Sequence, residues 1–222
     1  MIIIIGGFGV VYLVNDISSS TSCQYALKKI LIQSKEQFKD AHAELSSLQM
    51  FSGNNHHPNI IELIDSGVSN NRPASSPSQV YEELYLLFPY YPLGTAWDSI
   101  ERANPHQSEG PAWPFDEHMA LHIIVNVCYG LMTLHDRGYA HRDVKPHNIL
   151  LGSDGIPVLT DLGSMAASRI EVHTRQEALM VLDEASVKVS APYRAPELTE
   201  INTLPKIVSL YLIYIRHTPR LI

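Results

Sequence analysis

His141-Arg142-Asp143-Val144-Lys145-Pro146-His147-Asn148 is followed at once by the apolar run Ile149-Leu150-Leu151 and, one short hairpin later, by Asp161-Leu162-Gly163. Two carboxylates, a lysine and an asparagine on adjacent loops form the set that phosphoryl transfer requires. They offer an acceptor for a hydroxyl proton, oxygen ligands for a metal and a cation for developing charge. A structural origin would need Asp143, Asn148 and Asp161 to gather by accident beside a phosphate loop, which is the weaker reading.

Upstream, Gly6-Gly7-Phe8-Gly9-Val10-Val11 precedes Ala26-Leu27-Lys28 on the next predicted strand. Taken alone, the glycine stretch is an ordinary hairpin turn; a strand lysine after it makes it a candidate phosphate cover. The Lys28 ammonium needs an anion to fix it, and Glu44 stands on the one helix predicted for this half of the chain. If both charges were solvated the pair would be worth only ~0–1 kcal/mol, so the order of the motifs carries the assignment.

Apolar runs predict strands over 2–5, 10–14 and 24–32, then a helix over 37–51 with Phe38, Ala41, Leu45 and Leu48 on one stripe. Two further strands are expected over 60–67 and 80–88, separated by a polar loop over 69–78. Ala120, Ile124, Val127, Leu131 and Leu134 keep a helical double turn over 116–137, which predicts a long helix buried on more than one face. Five strands and one helix followed by helices make an α+β layout in two lobes. Residues 1–91 are the expected first lobe, 89–94 the connector and 92–200 the second lobe.

The 45% hydrophobic content of 222 residues supports a buried core, while a net charge of -7 and no basic run argue against a nucleic-acid partner. Cys23 and Cys128 are the two cysteines, as expected in a reducing compartment. The apolar starts at 2–5 and 207–215 are shorter than the ~20 residues that cross a bilayer. His56-His57 lacks companions at zinc-ligand spacing and reads as a loop.

With these motifs in order, the chain resembles the protein kinase superfamily from about Ile3 to Glu197, closing with Tyr193-Arg194-Ala195-Pro196-Glu197. The resemblance implies a bilobal kinase-like fold, with a five-stranded antiparallel N-lobe sheet plus one helix and a mainly helical C-lobe. It implies ATP and Mg2+ as cofactors and protein Ser/Thr hydroxyls as substrate. By position, Asp143 resembles the aspartate that orients the hydroxyl, Lys145 the lysine that contacts the transferred phosphoryl group, and Asn148 and Asp161 the magnesium ligands. Ile4, Gly6, Gly7, Phe8, Gly9, Val11, Ala26, Lys28, Phe88, Pro89, Tyr90, Tyr91 and Leu150 fall where the family binds ATP. Lys145, two places after Asp143, and Ser190, where the family keeps a Ser or Thr bonded to that pair, point to serine or threonine substrates. Leu48, His141 and Leu162 are candidates for an apolar stack joining the small-lobe helix to the catalytic loop.

Asp161-Leu162-Gly163-Ser164, the Phe88-Pro89-Tyr90-Tyr91-Pro92-Leu93-Gly94-Thr95 hinge and the Tyr-Arg-Ala-Pro-Glu ending are similar to the Numb-associated kinase family, above all its Golgi-associated, myristoylated and palmitoylated branch. Those anchors need a glycine after the initiator methionine. Ile2 stands there, so membrane attachment is not supported and a cytoplasmic location is expected.

Two departures matter. Ile4 replaces the first glycine of the usual loop. After Glu197, residues 201–222 show no family counterpart, so an incomplete C-lobe, an uncovered apolar face on the 116–137 helix and a Glu197 without its arginine are expected. The alternative function is therefore an inactive nucleotide-binding or interaction fragment. The activation segment is 161–197, with Ser164, Ser168, Thr174, Ser186 and Ser190 all open as its phosphorylation site.

Overall fold

β-branched and apolar residues on short strands build the first half of the chain. The computed structural model describes residues 2–6, 9–17, 23–69, 82–103, 114–199 and 206–209, and the chain divides into two units, Met1–Pro92 and Leu93–Ile222. In the first unit, β1 (Ile2–Gly6) pairs antiparallel with β2 (Gly9–Asn15), and β2 with β3 (Gln24–Ile32). α1 (Lys35–Met50) follows, its first turn closed by the Ser34 hydroxyl, which accepts the Gln37 amide at 3.1 Å. β4 (Asp65–Ser69) forms the far edge of a sheet ordered β1-β2-β3-β5-β4, with β5 (Glu82–Pro89) inside it. Ile30, Ile32, Ala41, Leu48, Phe51, Leu84 and Leu86 make the core of this unit.

The second unit opens with α2 (Ala96–Arg102), started by a reciprocal capping box between Thr95 and Asp98. α3 (Glu117–Asp136) is capped by Asp116, packs on the small strands β6 (Tyr139–Ala140) and β8 (Pro157–Leu159), and buries Ile123, Val127, Gly130, Leu131 and Leu134. β7 (Ile149–Leu151) and β8 (Pro157–Leu159) form a hairpin. β9 (Ala166–Ala167) pairs with β6, β10 (Arg169–Val172) precedes α4 (Arg175–Lys188), and β11 (Lys206–Ser209) pairs with β10. Ala140, Val172, Ala178, Ala185, Val189 and Leu198 form a small core under α4.

Several expectations change. The 60–67 strand is displaced: the ladder runs Asp65–Ser69, while Ile60, Ile61 and Leu63 are buried outside it. The Leu63 amide donates instead to the Ser52 hydroxyl at 2.8 Å. An apolar run of that length reads as a strand by composition, but its amides are satisfied piecemeal, Ile60 donating to the His57 carbonyl and Ile64 to the Leu87 carbonyl of β5. Phe38 is exposed and stacks on His42 rather than joining the core stripe. α3 is buried along one stripe, not several, because Leu121, Ile124, Val125, Tyr129 and Met132 are exposed. α2 and α4 were not anticipated. Among the described residues no helix is long and apolar enough to cross a membrane.

Candidate active site

The loop from His141 to Asn148 follows α3 and the short strand β6. Gly138, at φ 81°, lets the chain reverse after Arg137, which an L side chain would resist. β6 then delivers the loop, which closes in a single tight turn, Pro146–Asn148, tied to the end of β8 by the Thr160 amide donating to the Asn148 carbonyl at 2.9 Å. The non-glycine residues Arg142 (φ 70°) and Asp161 (φ 64°) are left-handed, a conformation that costs ~1–3 kcal/mol and persists only where neighbours hold it.

Asp143 is buried at the centre. Its Oδ2 accepts from Lys145 Nζ at 2.6 Å and from Asn148 Nδ2 at 3.1 Å, and its Oδ1 accepts from the Ser190 amide at 3.0 Å. Lys145 Nζ also donates to Ser190 Oγ at 2.7 Å. Burial opposes the charge on Asp143, but the Lys145 ammonium and the Ser190 amide and hydroxyl outweigh it and hold the carboxyl below the ordinary range. His141 is fully buried, which pushes its pKa down. Its Nε2 meets the Thr160 carbonyl at 3.0 Å and its Nδ1 meets the Asp143 amide at 3.3 Å. A carbonyl can only accept and an amide only donate, so the ring is neutral with its proton on Nε2. It therefore braces the loop as a structural residue.

In the first unit, Lys28 Nζ donates to Glu44 Oε1 at 2.6 Å, both side chains mostly buried. Val11 stands opposite Lys28 and Ala26 opposite Phe88 in the sheet, with Pro89 ending β5 and Tyr90 and Tyr91 following it. Ile4 pairs with Val11 and Gly6 with Gly9; Gly7 and Phe8 lie outside the described residues. Gly9 has φ 152°, and a Cβ there would stand 2.3 Å from the Lys29 carbonyl oxygen, so glycine is required beside the strand that carries Lys28. Leu48 is fully buried in this unit, as His141 and Leu162 are in the other, where Leu150 lies on β7 opposite Val158.

The residues expected to hold magnesium suit a hard cation. Asn148 spends its amide nitrogen on the Asp143 carbonyl at 2.8 Å, which leaves its oxygen as an acceptor. No hydrogen bond or ion pair among the described residues engages the Asp161 carboxylate. Two oxygen donors of this kind match the ligand preference of Mg2+.

The sequence reading missed Arg142 and Glu184, whose side chains meet at 2.8 Å. The available signal was Thr174-Arg175-Gln176-Glu177, a capping box that opens α4 with reciprocal bonds. Of the candidate phosphorylation sites, Ser164 and Ser168 are buried and Ser190 is engaged by Lys145. Thr174 and Ser186 are exposed. Glu197 Oε1 is buried with no hydrogen-bond partner among the described residues.

The sequence profile of the protein kinase domain matches residues 2–211. Serine/threonine-protein kinase 16 of Rattus norvegicus is 36% identical over 198 residues, covering 89% of this chain and 59% of the relative. A probable serine/threonine-protein kinase of Dictyostelium discoideum is 30% identical over 257 residues, with 88% and 66% covered. Serine/threonine-protein kinase ENV7 of Saccharomyces cerevisiae is 28% identical over 251 residues, with 89% and 65% covered. The chain thus spans 59% of the length of the rat relative.

Proposed function

We propose that this chain, which belongs to the protein kinase domain family, is an ATP-dependent protein serine/threonine kinase that passes the γ-phosphoryl group to Ser or Thr hydroxyls of protein substrates. The observation that carries the reading is the cluster of Asp143, Lys145, Asn148 and Ser190 around one buried carboxylate. Asp143 is assigned to orient the attacking hydroxyl and accept its proton. Its depressed pKa makes it a weak base that is ionised at neutral pH, which suits a carboxylate that orients the hydroxyl by accepting its hydrogen bond. Lys145 is assigned to the phosphoryl oxygens, and its bond to Ser190 holds the ammonium in place. Lys28, fixed by Glu44, is assigned to the nucleotide phosphates, with Gly6, Gly7 and Gly9 as their cover and Val11, Ala26, Phe88, Pro89, Tyr90, Tyr91 and Leu150 toward adenine. Asn148 and Asp161 are assigned to Mg2+, which when bound neutralises charge on the phosphates.

The names of the relatives support serine or threonine as acceptor, and so do Lys145 and Ser190. Asp161-Leu162-Gly163-Ser164 and the Tyr193–Glu197 ending support a place among the Numb-associated kinases. Two cysteines in 222 residues support a cytoplasmic location.

The test is transfer of labelled phosphate from Mg-ATP to a generic protein substrate, with Asp143→Asn as control. A fall of about 100-fold or more in the variant is expected. Transfer that survives the substitution would count against the assignment. Stabilisation by Mg-ATP with no turnover in either protein would favour a nucleotide-binding fragment.

A further inference from the structure

Arg142 carries a full charge on a side chain that is 1% exposed, immediately before Asp143. A buried guanidinium needs an anion, because desolvation of an unpaired charge is expensive. Its Nε donates to the Ser164 carbonyl at 2.6 Å, and one Nη donates to Glu184 Oε1 at 2.8 Å. The other Nη is buried with no hydrogen-bond partner among the described residues. Glu184 is therefore the carboxylate that compensates this charge, and it comes from α4, 42 residues along the chain.

The contact does not stand alone. Ser164 Oγ donates to the Lys188 carbonyl at 2.6 Å, and Ala178, Ala185 and Val189 pack with Ala140 and Val172. Two residues beyond Lys188, Ser190 bonds to Asp143 and Lys145. One continuous set of contacts thus runs from Glu184 through Arg142 to the backbone of Asp143, and from the end of α4 to the Asp143 carboxylate.

We propose that Glu184 is a positioning residue: its carboxylate neutralises buried Arg142 and thereby holds α4 and Ser190 against the loop that carries Asp143. Its effect on turnover rests on the kinase reading above; its effect on the order of residues 161–190 does not. Glu184 is 45% exposed, so its replacement leaves Arg142 unpaired without burying a new polar group, and a small anion can reach the vacated place.

The experiment compares Glu184→Gln, Glu184→Ala and Glu184→Asp with the unsubstituted full chain, by hydrogen exchange over residues 161–190 and by phosphate transfer. Gln and Ala are expected to speed exchange in that segment by about tenfold, with α3 unchanged, and to lower kcat by a similar factor with little change in KM for ATP. Asp should recover most of both. Sodium acetate should restore Glu184→Ala beyond sodium chloride at equal ionic strength, a response that a merely misfolded variant would not give. Exchange in Glu184→Gln equal to that of the unsubstituted chain would overturn the proposal, as would acetate acting no better than chloride. If the unsubstituted chain transfers no phosphate, the kinase reading fails, and the exchange and acetate responses still decide the role of Glu184.

Discussion

Lys145 Nζ lies 2.6 Å from Asp143 Oδ2, and this contact, with those from Ser190, holds a buried carboxylate in its charged form. Burial pushes the other way and is outweighed. Because the folded pKa is depressed, Asp143 contributes stability that is complete above the ordinary carboxylate value of about 4. That stability is lost as pH falls through the lower folded value. Lys145→Met should raise the Asp143 pKa and move the acid limb of Tm against pH upward. Superimposable limbs for the two proteins would show that Lys145 does not hold the charge.

Lys28 and Glu44 are joined across 16 residues, with side chains 20% and 11% exposed. Partial burial places the pair above a solvated surface bridge. A double-mutant cycle with Lys28→Met and Glu44→Gln should give a coupling of about 0.5–3 kcal/mol in denaturant unfolding. Strictly additive losses would mean that the two groups do not act as a unit. Either single change is also expected to raise KM for ATP.

Gly9 and Gly67 differ in what an added methyl would meet. At Gly9 a Cβ would collide with the Lys29 carbonyl, whereas at Gly67 nothing lies within 4 Å. Gly9→Ala should cost about 1–3 kcal/mol, read as a lower Tm, and should weaken nucleotide binding. Gly67→Ala should change stability by no more than about 1 kcal/mol. Equal effects would show that the close approach at Gly9 is not what demands glycine there.

Thr174 closes the first turn of α4, its hydroxyl accepting from the Glu177 amide at 3.2 Å, and the Glu177 carboxylate accepts in turn from the Thr174 amide at 3.3 Å. Thr174→Ala should cost about 1 kcal/mol and speed exchange in the first turn of α4. Thr174→Ser should retain most of the protection. Loss in both variants would point to the methyl group rather than the cap.

Much of this was legible beforehand because it rests on local energetics. The strand over Gln24–Ile32 and the helix over Glu117–Asp136 follow from apolar spacing that each backbone geometry reproduces. Asp143, Lys145 and Asn148 lie within one loop, so their chemistry could be read together. α4 escaped because Ala178 and Ala185, the residues it buries in full, are small and make little contrast with its polar neighbours. Its capping box was present in the sequence but had no strong apolar period behind it.

The partner of Arg142, distant along the chain, belonged to the tertiary structure alone. Arg142 could have met any carboxylate until Ala185 and Val189 packed on Ala140 and Val172 and brought Glu184 into reach, and the same packing delivers Ser190, already matched to Lys145 by the family resemblance. Residue type and spacing determined which groups were available and on which local elements they sat. Closing loops of more than 40 residues costs entropy that only burial between those elements repays, and that burial decided which charges and hydroxyls share the Asp143 loop.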